Sequence, residues 1–248
     1  MLQLAASDAF LNTAKAHVEQ KGFAAHPFNL IRAIESMPSM PLAESQGQLP
    51  AYDANAATPA ALHLFKVREA DPLPEDKADA FHSVTASLLF ISRRCRLDIQ
   101  TAVAFLCTRV SCPTMDDWKK LRRVLQYLRG TIDLILTLGV DNIKKVKSWV
   151  DVSYGTHDDC KSHTGGALSW GWGVLLTKCQ KQKLNTKSST EGEIVGVSDF
   201  LPNIIWARMF LEAQGFVLEE NILYQDNQSA MLIEKNGKRS SGQKTKHM

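Results

Sequence analysis

The stretch VKSWVDVSY, residues 146–154, decides the reading of the chain. Val146, Val150, Val152 and Tyr154 fall on alternate positions, the two-residue period of a half-buried strand. Asp151 stands between Val150 and Val152, so its carboxylate leaves the strand on the opposite face. Downstream, GGALSWGWGVLLTK (165–178) and KQKLNTK (181–187) read as further strands of a hairpin-linked sheet, with glycines near the turns. Ser189 to about Gln214 reads as a helix and Asn221–Gln225 as a strand. Ala230–Asn236 reads as a short helix closed by Gly237. Three strands, a helix, a strand and a helix predict a mixed α/β domain.

Upstream the period is helical. HSVTASLLFISRR (82–94) and DIQTAVAFLCTRV (98–110) carry apolar residues three or four apart, and Asp98 is a candidate N-cap for the second. Residues 115–129 form a third helix, with Trp118, Leu121, Val124, Leu125 and Leu128 as its apolar stripe and Gly130 at the C′ position. Its other face holds Lys119, Lys120, Arg122, Arg123 and Arg129. Thr114 is placed to cap this helix, and Asp116 and Asp117 favour its dipole, so Met115-Asp-Asp-Trp118 is a helix start and not a metal-binding pair. Residues 74–140 therefore predict a small helical subdomain and 141–248 the α/β domain. Within residues 1–73, one amphipathic helix is expected over 1–27, with Phe10, Ala14 and Val18 on one face. A linker or a loosely packed extension, without helical or strand period, is expected from Met37 to Pro74.

Composition narrows the class. Lys and Arg number 29 against 26 Asp and Glu, a formal charge of +3, which permits a polyanionic partner without demanding one. Five cysteines without a C-x-x-C pair exclude a disulfide framework or structural zinc site and fit a reducing compartment. The start, MLQLAASDAFL, lacks the basic segment of a signal peptide, and Arg208 cuts the apolar run IIWARMFL. An intracellular chain without a membrane span is expected.

Three carboxylates occupy informative places: Asp151 in the first strand, Glu193 in the first turn of the long helix, and Asp226 at the end of NILYQD. If those elements pack together, the three acids form a self-repelling cluster unless a hard dication sits among them. Carboxylates without His or Cys suit Mg²⁺ rather than zinc. Bland alternatives remain open: Thr190-Glu-Gly-Glu193 also spells a capping box, Asp226 and Asn227 could cap the last helix, and Asp151 could be solvated. Ser162-His163 with Asp158 lacks the glycines of a nucleophile elbow. Trp149, Trp170 and Trp172 read as packing residues rather than stacking platforms for bases.

SWVDVSYG, SSTEGEIVG and YQDNQSA resemble the three signature blocks of the ribonuclease H domain in copia-type LTR retrotransposon polyproteins. KSHTGGALSWGWGVLLTKCQKQKLNTK and KTKHM resemble its intervening segments. ASLLFISRRCRLDIQTAVAFL and DDWKKLRRVLQYLRGT resemble the connection between reverse transcriptase and ribonuclease H. The resemblance covers roughly residues 74–248. It implies an α/β, mixed-sheet ribonuclease H-like domain preceded by a small helical connection subdomain. It also implies a Mg²⁺ site of Asp151, Glu193 and Asp226 that cleaves the RNA strand of RNA–DNA hybrids. Glu193 matches the family's helix glutamate, and Glu191, two positions earlier, points about 200° away. The implied partners are nucleic acid and the reverse transcriptase domain of a parent element. Lys119, Lys120, Arg122, Arg123, Lys144, Lys145 and Lys147 are placed to track phosphates.

Four departures qualify the resemblance. No polymerase aspartate pair is present: His157-Asp158-Asp159 lacks flanking strands and reads as a loop. The sequence stops where the family supplies a fourth carboxylate and a closing helix. Leu97 replaces a proline, and Pro202 lies inside the long helix, where it should forfeit a bond and kink the chain. A second reading follows from these departures: a degenerate, non-catalytic remnant that binds nucleic acid or a polymerase partner.

Overall fold

Thr114 Oγ1 accepts from the backbone N–H of Asp117, and Asp117 accepts in return from Thr114 N–H. This reciprocal capping box starts the most amphipathic helix among the described residues. The computed structural model describes residues 55–237. The helix expected over 1–27, the linker residues 37–54 and the KTKHM block lie outside the described residues.

The helical part comprises α1 (Glu75–Ser92), a 3₁₀ turn (Leu97–Ile99), α2 (Gln100–Cys107) and α3 (Met115–Gly130). Phe81, Leu88, Phe105, Leu106 and Leu121 interlock at its centre. Asp98 does not cap α2. The 3₁₀ turn makes Ile99 the flanking residue, and Asp98 is held instead by Arg96 at 2.8 Å and by the hydroxyl of Tyr127 at 2.7 Å. Gly130 is the last residue of α3 rather than a residue beyond it, and Thr131 is the C-cap.

Residues 55–73, expected to be linker, contain no long element, yet they are tied to the helices. Leu64 and Leu73 are buried in the helical core. Lys120 Nζ donates to Lys66 O, and Arg123 donates to Thr58 O and Oγ1.

The second part is a mixed sheet under one long helix. Strand β1 (Gly139–Val140) pairs with β4 (Gly171–Trp172). The main sheet runs in the order β5-β3-β2-β6, from β2 (Lys145–Ser153), β3 (His163–Ser169), β5 (Leu176–Lys181) and β6 (Glu220–Tyr224). β6 alone is parallel to its neighbour β2. KQKLNTK does not form the expected strand: pairing ends at Lys181, where Gln182 turns inward to bond Thr164 and Gly192.

α4 (Ser189–Ala213) packs on the inner face of the sheet. Val146, Val150 and Leu168 meet Val197, Phe200 and Ile204 there. Close approach depends on two glycines: a Cβ on Gly166 would lie 2.5 Å from Phe200, and one on Gly196 2.5 Å from Val152. α4 runs uninterrupted through Pro202, which lacks the N–H for Ser198 O without ending the helix. By length and composition α4 could also cross a membrane, despite Arg208. Here Val197, Phe200 and Ile204 pack on the sheet, while Leu201, Ile205, Trp206, Met209 and Phe210 stay exposed. α5 (Gln228–Asn236) packs beside it, capped by Asn227 and followed by Gly237 at φ +59°.

The two parts meet where α2 lies on β5. At that junction Nε2 of His157 lies 3.0 Å from Nδ1 of His163, and Nε2 of His163 lies 3.0 Å from Cys179 Sγ. Phe65 packs edge-on against His157 and tilted against His163. His157 and His163 are therefore packing residues of the junction, and Ser162 is buried, accepting from Gly155 N–H.

Candidate metal centre

Three elements bring three acids together. Strand alternation buries Val150 and Val152 and turns Asp151 outward. Asp226 follows the end of β6, whose parallel pairing sets Tyr224 beside Trp149 and so brings the strand's end toward Asp151. Glu193 comes from the second turn of α4, held against β2 by the glycine contact at Gly196. One oxygen from each of Asp151, Glu193 and Asp226 lies within 4.8 Å of the others. Asp151 and Asp226 are exposed, whereas Glu193 is 5% exposed.

The neighbouring glutamate has a different task. Ser188 is the N-cap of α4, accepting from Glu191 N–H, while Glu191 Oε2 accepts from Lys187 N–H at 2.7 Å. Capping thus falls to Ser188 and Glu191, two residues earlier than Thr190 and Glu193, and Glu193 is left to face the strands. Asp226 is likewise released from capping, because Asn227 caps α5.

Burial pushes the Glu193 carboxyl above its ordinary range, and the charges of Asp151 and Asp226 push the same way. A hydrogen bond from Gln225 and the backbone of Val152 oppose this. Gln225 Nε2 donates to Glu193 Oε2 at 3.1 Å, and its Oε1 accepts from Asn227 N–H. Sequence reasoning missed Gln225; its place directly before Asp226 is the one available signal. An all-oxygen set of three acids, one buried and repelled by the other two, fits a hard dication such as Mg²⁺.

The basic residues are not brought to the acids as one cluster. Lys144, Lys145 and Lys147 pair with Glu219, Glu220 and Asp141 at 2.6–2.7 Å. On α3, Lys120 and Arg123 are used on residues 58–66, Arg122 is half-buried, and Lys119 is exposed.

No family model matches the chain, and no solved structure matches it. Among curated proteins, it is 30% identical over 198 residues to the "Retrovirus-related Pol polyprotein from transposon TNT 1-94" of Nicotiana tabacum, covering 77% of this chain and 15% of that protein. It is 30% identical over 155 residues to the Pol polyprotein from transposon RE2 of Arabidopsis thaliana, covering 62% and 11%. It is 28% identical over 155 residues to that from transposon RE1 of the same plant, covering 62% and 10%. The matched segment spans 10–15% of these relatives' length. With its signature blocks in order and these relatives beside it, the chain belongs to the copia-type retrotransposon Pol polyproteins, matching one segment of them.

Proposed function

We propose that the chain carries the ribonuclease H-type activity of such a polyprotein: Mg²⁺-dependent cleavage of the RNA strand of an RNA–DNA hybrid. The observation that carries this reading is the meeting of Asp151, Glu193 and Asp226 within 4.8 Å, from three elements far apart in sequence. The mixed sheet with a parallel last strand and one long helix beneath it suits a ribonuclease H-like domain.

Asp151, Glu193 and Asp226 would hold the metal. When bound, Mg²⁺ activates water and stabilises the leaving oxygen in phosphodiester cleavage. The protein's own part is positional. Glu193 is fixed by Gln225 and Val152, while Asp151 and Asp226 remain open to solvent and so to substrate. A water oxygen attacks phosphorus and the P–O3′ bond breaks, leaving 3′-hydroxyl and 5′-phosphate ends. Exposed pairs such as Lys144–Glu219 and Lys145–Glu220 are worth little in water, so these lysines can exchange their carboxylates for phosphates. The paired geometry weakens the expectation of a ready-made phosphate track without removing it. A non-catalytic remnant gains no support from a triad that is intact and converged.

The test is cleavage of an end-labelled RNA–DNA hybrid with Mg²⁺ by wild type, Asp151→Asn and Asp226→Asn. Mg²⁺-dependent cleavage lost in both variants supports the proposal. Equal cleavage by all three, or none by wild type, rejects it.

A further inference from the structure

Along the outer face of β2, Lys145, Lys147, Trp149 and Asp151 succeed one another at every second position. That spacing is about 6.6 Å per step, or roughly two nucleotide rises along a nucleic-acid axis. Two cations, a ring and an acid thus share one line. Trp149 pairs in register with Tyr224 of β6, and the two rings stack with centroids 5.3 Å apart and planes 14° apart. Tyr224 is two residues before Asp226, so the ring pair stands one step from two of the three acids. Trp149 also lines a cleft of about 270 Å³ with Asp151, together with Leu97 of the 3₁₀ turn and Gln100 and Thr101 at the start of α2.

A cross-strand aromatic pair can serve only to stabilise a sheet. These rings are 40% and 43% exposed, and Trp149 shares its cleft with Asp151, a ligand of the candidate metal centre, while Tyr224 flanks it on the neighbouring strand. An aromatic pair beside acids that would hold a metal at a phosphodiester has a fitting occupant: the sugars of the strand being cut. In a duplex the bases are stacked away, and what the wide minor groove of an A-like helix offers is sugar faces and 2′-hydroxyls. The indole Nε1–H and the phenol O–H can each bond a hydroxyl.

We propose that Trp149 and Tyr224 form a ribose-reading platform, packing on sugars of the RNA strand next to the scissile phosphate and bonding their 2′-hydroxyls. The proposal rests on the nuclease reading above and adds the residues by which this chain tells RNA from DNA.

The full chain is titrated with a fluorescent RNA–DNA hybrid and with the DNA duplex of the same sequence. Ca²⁺ replaces Mg²⁺, and strand integrity is checked on a gel. Trp149→Ala and Tyr224→Ala are expected to weaken hybrid binding about tenfold and to leave DNA duplex binding within about twofold. Trp149→Phe, which keeps a ring, retains most of the affinity; Trp172→Ala, an exposed tryptophan on β4, changes nothing. Circular dichroism melts establish that each variant folds, and if Trp149→Ala does not, Tyr224→Ala and Tyr224→Phe decide by their loss of preference for the hybrid. Unchanged hybrid binding in the folded variants, or equal weakening on both duplexes, overturns the platform. The two failures are separable. Asp151-dependent cleavage with normal binding by Trp149→Ala sinks the platform alone, while platform-dependent hybrid binding without any cleavage sinks only the nuclease reading.

Discussion

Gln225 clamps Glu193: its Nε2 donates to Glu193 Oε2 while its Oε1 is anchored by Asn227 N–H. The bond stabilises the charged carboxylate against burial and against the charges of Asp151 and Asp226, all of which favour the protonated form. Gln225→Ala removes the one side-chain bond among the described residues working to keep Glu193 ionised. Its carboxyl therefore titrates higher, and the acid limb of a kcat/KM profile for hybrid cleavage is expected to move to higher pH. Activity well above that limb should fall much less. A profile superimposable on wild type would show that Gln225 has no hold on the site.

Glu191 and Glu193 make a sharper pair. Glu193→Gln leaves a residue of the same shape but without charge, and cleavage should drop by more than the roughly 10–100-fold typical of losing a supporting partner of a metal ligand. Glu191→Gln weakens only the bond to Lys187 N–H, at a cost of about 1 kcal/mol in stability, with turnover per folded molecule retained. Parallel melting and activity measurements check both halves. Swapped phenotypes would assign the metal ligand to the wrong glutamate.

The local parts of this architecture were legible because they are written in local periods. The alternation in VKSWVDVSY, the apolar stripe of residues 115–129 and the cap at Thr114 each depend on residues a few positions apart, and the structure contains all three. Expectations lapsed where distant partners intervened. Asp98 reads as a cap until the Arg96 guanidinium and the Tyr127 hydroxyl, 29 residues away, take its carboxylate. Lys144, Lys145 and Lys147 read as a free basic run, but two of their partners come from residues 219 and 220, placed there only by parallel pairing of β2 with β6. The two-residue strands β1 and β4 are too short to show any period at all.

The candidate site was legible to a different depth. Asp151, Glu193 and Asp226 could be named from their blocks, and these are the acids that converge. Which glutamate caps α4 could not be read from Ser188-Ser-Thr-Glu-Gly-Glu193, since either register fits the pattern; the backbone settles on Ser188 with Glu191. Trp149 shows the opposite bias. A tryptophan on a strand is ordinarily packing, and only the neighbouring strand and its half-open rings reveal another use.

The imidazole pair at the junction sets a pH dependence of stability. Burial pushes His163 down to about 4 and lowers His157 as well, with Lys181 adding repulsion against the weaker pull of Asp159 and Asp158. In the unfolded chain both titrate near 6.5. The unfolded state therefore binds more protons below that value, so stability is whole above about pH 6.5 and is lost as pH falls toward 4. For His163 alone, full depression corresponds to about 3 kcal/mol. Urea midpoints at pH 7.5, 6 and 5 should fall in that order, and more gently in His163→Gln. A flat series would mean the two rings are solvated.

Gly192 and Gly196, one turn apart on α4, are expected to respond to alanine with opposite signs. At Gly192 a new Cβ meets Thr186, Val152 and Ser162 at 3.5–3.6 Å, ordinary contact distances. The helix-propensity gain of about 1 kcal/mol over glycine should then appear nearly in full. At Gly196 the Cβ would lie 2.5 Å from Val152 Cγ2 and 3.4 Å from Val150 Cγ1. Overpacking of that kind costs about 1–3 kcal/mol, which outweighs the same propensity gain. Relief comes by pushing α4 off β2, and Glu193 lies less than one turn away on the helix that moves. Gly196→Ala should therefore lower the urea midpoint and weaken Mg²⁺-dependent cleavage together, whereas Gly192→Ala should raise the midpoint and leave cleavage in place. If Gly196→Ala proves as stable and active as wild type, close helix–strand contact is not what delivers Glu193 to Asp151 and Asp226.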